Sequence, residues 1–430
     1  MGTSRGRLLL VAALVAVAAC VFASPGHASN GIRYGIQDDA WLEFGPGTLN
    51  QRLATLKRLG VPYVRFTVHW NVVAAKRPKD PSSPRDRAYD WRRADRVLRG
   101  LRRHGLTPVV TLLGTPAWAN SHRSPNYAPV RPRDFRAFAR AIARRYPWVR
   151  YWLMWNEPNH PLWLKPTRAS IYVQHVLNPG YEGVHSVLRH AQVGGGVTAP
   201  RGGLGGVAPV TWLRGMARAH AKLDAYAHNP YPLRPGETPS AHGCRFCPNI
   251  TMATLPKLLI LVRRYWGLKT VWLTEYGYQT NPPDQFLGVP PRQQATLLSL
   301  AAMRAWRLAR VTMLIQYLYR DEPQLSRFQT GLVYIDDKPK PSLNGFRLPF
   351  AEMRRSGFET VVWGQIRDGR QGRKQYQVQV LRKNRWTPVA GTRLTNDNGV
   401  FVRTIRLKKG SLLRVWSPRQ RLYSLRLRVR

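Results

Sequence analysis

The feature that most constrains this chain is a series of apolar, strand-like runs at nearly even spacing, each followed by a stretch with helical periodicity. The runs are "IRYGIQ" (32–37), "YVRFTVHW" (63–70), "TPVVTLLG" (107–114), "VRYWLMW" (149–155), "AQVGGGV" (191–197), "LDAYAHN" (223–229), "TVWLTEYG" (270–277) and "VTMLIQYLY" (311–319). Between them, segments such as "WRRADRVLRGLRRHG" and "RQQATLLSLAAMRAWRLA" place apolar residues three and four apart with basic residues on the opposite face. Several of these segments stop at a glycine, where a helix C-cap calls for one. Strands joined by helices run parallel and are covered on both faces, which explains their nearly continuous apolar character. Eight such units predict an α/β chain built as a (β/α)8 TIM barrel rather than a doubly wound sheet. The eighth helix, "PSLNGFRLPFAEMRRS", is weak because it carries two prolines and a glycine.

Beyond residue 356 the period shortens. "TVVWGQI", "QYQVQVLR", "RWTPVA", "GVFVRTIRL" and "SLLRVWS" alternate in hydropathy, with "NDNG" and "KKG" as turns. A small all-β, sandwich-like module over 357–430 is expected, following a barrel over 29–356. No low-complexity linker separates the two, and no internal repeat is visible. From 361 to 430 there are 18 Lys or Arg against 2 Asp or Glu.

Residues 1–28 follow a different logic. Arg5 and Arg7 precede "LLLVAALVAVAACVFA", and small residues follow before Ser29. This is the pattern of a secretory signal peptide, and the apolar run is short for a membrane span of about 20 residues. A secreted chain is therefore expected. "VAAC" at 17–20 leaves open a lipid anchor on Cys20 as the alternative. Cys244 and Cys247 in "HGCRFCPN" lack the second ligand pair that zinc needs, so a disulfide in an exported loop is expected and no metal site. The 43% hydrophobic content of the 430 residues suffices for a large core. The formal charge of +46 lacks any accompanying nucleic-acid-binding signature. Attraction to anionic cell-wall polymers is one reading of it, and an arginine-rich surface without a partner is the other.

Functional groups of a (β/α)8 barrel stand at the C-terminal ends of its strands. Glu157 follows the fourth run in "MWNEPN", and Glu275 ends the seventh in "LTEYGY". A single glutamate there would be an ordinary solvated rim residue. Two of only 22 acidic residues falling at strand ends among aromatic and amide side chains point instead to a working pair. Glycoside hydrolysis needs such a pair: one carboxyl protonates the departing oxygen, and the other attacks the sugar or activates water. Their surroundings must keep one protonated and the other ionised.

These two segments, 154–159 and 273–278, resemble the signatures of clan A glycoside hydrolases, the retaining (β/α)8 enzymes that include cellulase-like and β-xylosidase-like families. The resemblance spans residues 32 to about 350. It implies a poly- or oligosaccharide substrate, no cofactor, Glu157 as general acid/base and Glu275 as nucleophile. It also implies that Asn156 binds the sugar 2-hydroxyl and that Arg65 helps keep the nucleophile ionised. An inter-strand salt bridge with no catalytic part is the other reading of Arg65. Where these families place a His and a Tyr that orient the nucleophile after the sixth strand, "AHNPYP" offers Tyr231, with His228 and Asn229 competing for the second place. The eighth strand carries Tyr317 and Tyr319 in place of the usual Trp. Trp70, Trp118 and Trp155 at strand ends are candidate sugar platforms, with core or rim packing as the alternative. The rival function is a carbohydrate- or envelope-binding protein that keeps the barrel without efficient catalysis. Whether Asn159 and His160 touch substrate is left open by the sequence.

Overall fold

The computed structural model describes residues 32–367 and 372–430. The expected signal segment and Cys20 lie outside the described residues.

Eight parallel strands close on themselves in sequence order: β1 Arg33–Gln37, β2 Tyr63–His69, β3 Thr107–Leu113, β4 Tyr151–Met154, β5 Gln192–Thr198, β6 Ala225–His228, β7 Thr270–Tyr276 and β8 Val311–Tyr317. β1 pairs with β2 on one side, Gly35 opposite Tyr63, and with β8 on the other, Gly35 opposite Ile315. The barrel read from the strand count is therefore the fold.

Two apolar layers hold it. Inside the barrel, Val109, Tyr151, Leu153, Val197, Ala225, Ala227, Trp272, Met313 and Ile315 form one cluster. A single tryptophan inside so narrow a space needs a gap across from it, and β5 supplies one: a Cβ on Gly194 would lie 2.7 Å from Leu153 and 2.9 Å from Trp272. The "GGG" of β5 is thus close packing. Outside, the helices bury one stripe each. Helix Arg92–Arg103 buries Ala94, Val97, Leu98 and Leu101 while its arginines face away. Thr48 and Gln51 close a capping box at the start of helix Leu49–Arg58.

The segment expected as an eighth helix divides in two. A helix spans only Pro341–Arg347, and Phe350–Ser356 is strand β9. Pro349 cannot donate the hydrogen bond that would carry the helix onward, and the following residues pair antiparallel with β10, Glu359–Gln365, across a turn at Gly357 with φ 54°. The all-β module therefore begins at Phe350, ahead of the boundary expected at 357. β14 Val400–Arg406 completes this first sheet. The second sheet contains β11 Gln375–Arg382, β12 Arg385–Pro388, β15 Leu412–Ser417 and β16 Leu422–Tyr423, with the short β13 Arg393–Leu394 and β17 Leu427–Arg428 attached. Phe350, Val362, Phe401 and Ile405 from one sheet meet Val378, Val380, Leu413 and Val415 from the other. This is the sandwich arrangement that the alternating pattern predicts.

The module packs directly on the barrel. Trp363 of β10 is fully buried in the barrel's own apolar cluster, with its ring 5.9 Å from that of Trp306 in helix Pro291–Arg307. Among the described residues no helix is long and apolar enough to cross a membrane. Trp363→Ala is expected to cost about 3–5 kcal/mol in denaturant unfolding and to split the single transition of barrel and module. A loss below about 1 kcal/mol would show that the junction contributes little.

Candidate active site

Arg65 lies near the middle of β2, and its side chain is completely buried in the barrel mouth. A guanidinium without water must find acceptors within the protein. It finds them on three other strands or their ends. Nε donates to Thr111 Oγ1 of β3 at 2.9 Å, Nη2 to Asn156 Oδ1 after β4 at 2.8 Å, and Nη1 to both the Thr274 carbonyl at 3.0 Å and Glu275 Oε1 at 2.7 Å on β7. The inter-strand salt bridge and the link to the expected nucleophile are one arrangement, because the charged partner is Glu275 itself.

The end of β4 departs from strand geometry. Trp155 has φ 77° and Glu157 φ 39°, left-handed values that are costly for residues with a Cβ. Backbone bonds hold them there: Trp155 N–H donates to Leu112 O at 2.9 Å, and Glu157 N–H to Val197 O at 2.9 Å. In a regular strand Asn156 and Glu157 would point to opposite faces. The two left-handed residues break that alternation. Asn156 reaches Arg65, and Glu157 Oε1 accepts from Asn229 Nδ2 at 3.0 Å. Asn229 is itself fixed, its Oδ1 accepting from Thr274 Oγ1 at 2.7 Å. Glu275 Oε2 accepts from the Tyr231 hydroxyl at 3.3 Å. Asn156, Glu157, Asn229, Tyr231 and Glu275 therefore share one network centred on Arg65.

The two carboxyls differ in their charge environment. Burial, and then the charge of Glu275, push Glu157 up to about 7, against the hydrogen bond from Asn229, the charge of Arg65 and nearby Trp163. Burial raises Glu275 too, but Arg65 and Tyr231 stabilise its anion. With a guanidinium bonded to one carboxylate only, the negative charge settles on Glu275 and the proton on Glu157.

Several expected residues take other places. The ring nitrogens of buried His228 are occupied by Thr198 Oγ1 at 2.8 Å and the Ile250 carbonyl at 3.0 Å, so of the two only Asn229 reaches the carboxyls, and it bonds Glu157 rather than the expected nucleophile Glu275. Burial holds His228 neutral, its pKa down at about 4. Trp155 is not a sugar platform: it is fully buried, edge-on to Phe135, and its indole donates to the Trp163 carbonyl at 2.7 Å. Trp70 is buried too, stacked on Phe138 at 5.4 Å. Trp118 is half-buried, edge-on to Trp70, with its indole bound to the Ala74 carbonyl, and it packs the rim. Both Trp70 and Trp155 pack against Phe135 or Phe138 of helix Pro132–Arg145, in the layer between barrel and helices, which makes them core residues. Asn159 is buried and pins its loop to the next one through Ala199 and Val207. His160 Nδ1 accepts from Leu162 N–H. Tyr317 stands beside Tyr231, edge-on with ring centres 6.3 Å apart, and burial, with the charge of Glu275 second, raises its hydroxyl. Tyr319 instead packs on Trp41 at 4.2 Å.

Two site residues were not legible beforehand. Trp163, 37% exposed, comes from the loop after β4 and lies close enough to Glu157 to favour its anion. Asp39, just past β1, accepts from Thr67 N–H at 3.2 Å and is close enough to act electrostatically on both Arg65 and Glu275. The doublet "DD" after the first strand was the available signal for it. Its neighbour Asp38 accepts three backbone N–H groups, from Trp41, Tyr319 and Arg320, and ties β1 to the loop after β8. In the loop after β6, Cys244 and Cys247 form a disulfide. Among the described residues no cluster of His, Cys, Asp and Glu is arranged to hold a metal ion.

Arg65→Gln leaves Glu275 buried without its counter-charge. A stability loss of about 3–5 kcal/mol is expected, and the apparent pKa of the ionised partner should rise, which moves the acid limb of any pH–rate profile to higher pH. Denaturant unfolding together with that profile checks both; an unchanged acid limb would contradict the pairing.

A scan of the sequence against protein-family models finds no match, and a comparison with curated proteins finds none. Solved structures do match. A family 39 glycoside hydrolase from the gut symbiont Bacteroides cellulosilyticus WH2 superposes with a TM-score of 0.59 at 16% identity, covering 89% of this chain and 80% of that one. A monomeric β-xylosidase from Caulobacter crescentus CB15 gives 0.59 at 15% identity, covering 91% and 96%. A glucosidase from Croceicoccus marinus gives 0.57 at 12% identity, covering 91% and 97%. The likeness is one of fold: this chain shares the overall architecture of these glycosidases, with the barrel that the strand count predicts.

Proposed function

We propose that the chain is a retaining glycoside hydrolase acting on a poly- or oligosaccharide. The observation that carries this reading is the Arg65 network, which keeps one buried carboxyl ionised while its neighbour holds a proton near neutral pH. In the first step a Glu275 carboxylate oxygen attacks the anomeric carbon as the bond to the leaving oxygen breaks, and Glu157 gives its proton to that oxygen. A glycosyl ester on Glu275 results. In the second step Glu157, now ionised, takes a proton from water as the water oxygen attacks the same carbon and releases Glu275. Asn156 faces the sugar 2-hydroxyl while Arg65 fixes its amide orientation, and Trp163 borders the departing group. The glycosidase architecture of the matched structures supports this reading.

A protein that only bound saccharide would gain nothing from the strained turn at Trp155 and Glu157 or from burying two carboxyls beside one guanidinium. The work is assigned to the outside of the cell, in keeping with the N-terminal pattern and the Cys244–Cys247 disulfide.

Glu275→Gln should abolish turnover while leaving unfolding cooperative. Glu157→Gln should slow the first step of substrates with poor leaving groups by about 10²–10⁴-fold and spare that step, read as kcat/KM, where the leaving group needs no proton, while the second step loses its base and slows for every substrate. Because Glu157 must be protonated in the first step, the rate should fall as pH rises through about 7, and this limb should vanish in Glu157→Gln. Nuclear magnetic resonance of the first product should show the substrate's own anomeric configuration. Inversion would refute the double displacement, and full activity in Glu275→Gln would refute the site.

A further inference from the structure

The outer face of the second sheet of the all-β module carries a row of stacked planes. The strand register puts Gln377 opposite Trp416, Trp416 opposite Tyr423, Gln379 opposite Arg414, and Leu381 opposite Trp386. Directly opposed residues share a face, and the alternation along β15 buries Leu413 and Val415 while leaving Arg414 and Trp416 on the other side. The Trp416 and Tyr423 rings stack at 4.2 Å. The Arg414 guanidinium lies 4.1 Å from the Tyr423 ring and 4.4 Å from that of Trp386, so it is held between two aromatics. Arg426 lies 5.8 Å from the Trp386 ring. Gln379 Oε1 accepts from Arg414 Nε at 2.7 Å, and Gln377 accepts from Gln379 in turn. The Nη edge of Arg414 is thus oriented by two rings and an amide.

Such fixation removes most of the rotamer entropy that a free arginine would lose on binding an anion. Among the described residues neither Arg414 nor Arg426 has an acidic partner, and the segment around them is strongly basic. A carboxylate matches the planar fork of a guanidinium, and the flanking aromatic surface suits the apolar flank of a pyranose ring. We propose that the Trp416–Tyr423–Arg414–Trp386 row, with Arg426 beside it, is a binding site for a uronate-bearing polysaccharide, separate from the barrel mouth. The choice of a glycan over another polyanion rests on the glycosidase reading of the barrel; recognition of the anion does not.

The test uses the full chain carrying Glu275→Gln, so that no probe is cleaved, and measures affinity for polygalacturonate and for inorganic polyphosphate at constant ionic strength. Arg414→Gln and the Trp386→Ala/Tyr423→Ala pair should each weaken polygalacturonate binding at least about tenfold and change polyphosphate binding by less than about twofold. Arg414→Lys, which keeps the charge and loses the fork, should behave as Arg414→Gln does. Unchanged polygalacturonate affinity in these variants would overturn the proposal, and so would an equal loss for polyphosphate, which has no ring and would mark a general polyanion patch. The same module variants made with Glu275 intact should hydrolyse a small aryl glycoside at the parent rate, which reports that the protein is folded. If the parent itself hydrolyses none, the barrel reading fails on its own, whatever the polygalacturonate result.

Discussion

The candidate site depends on one buried positive charge. Arg65 is wholly removed from water, and the four bonds that compensate it reach three other parts of the barrel: β3 through Thr111, the turn after β4 through Asn156, and β7 through Thr274 and Glu275. Breaking such a pair on one side leaves an uncompensated charge in a medium that solvates it poorly. The strand ends are therefore held in register by electrostatics as well as by the apolar layers. The same guanidinium divides the labour of the two glutamates, since it bonds one carboxylate directly and leaves the other to burial and an amide.

That division reaches the backbone. Glu157 can leave the strand alternation only because its left-handed turn is held by the bonds to Leu112 and Val197 and by the pinning of the next loop through Asn159. The local energy cost is offset by the surrounding barrel. Asn229 then ties Glu157 back to β7 through Thr274, the residue whose carbonyl also receives Arg65. Glu157, Glu275 and Arg65 are thus fixed relative to one another, as the proposed reaction with two proton-coupled steps requires.

Much of this was legible in the sequence because it rests on period and position. Parallel strands buried on both faces read as apolar runs, and eight of them left one closed arrangement. Glu157 and Glu275 stood out because acids are scarce in this chain and strand ends are where barrel chemistry gathers. What was not legible depends on side-chain direction. Nothing in "AHNPYP" tells whether His228 or Asn229 faces the cleft; the structure turns His228 towards Thr198 and Ile250. "WNEPNHPLW" contains two tryptophans, and the one within the motif, Trp155, packs against Phe135 of a covering helix while the later Trp163 lies near Glu157. Residues 350–356 read as helix by local pattern, yet pair as a strand because Pro349 ends the helix and β10 supplies a partner.

The central claim is that Glu275 is the atom donor to the anomeric carbon and that Arg65 keeps it ready. An activated glycoside bearing fluorine at the sugar 2-position slows the release of a covalent intermediate more than its formation. Mass spectrometry of the peptides after brief exposure to such a glycoside tests the claim most directly. The account predicts one added glycosyl group, carried by the peptide that contains Glu275; a label on Glu157 or on any other residue, or none while the parent substrate is still turned over, would contradict it.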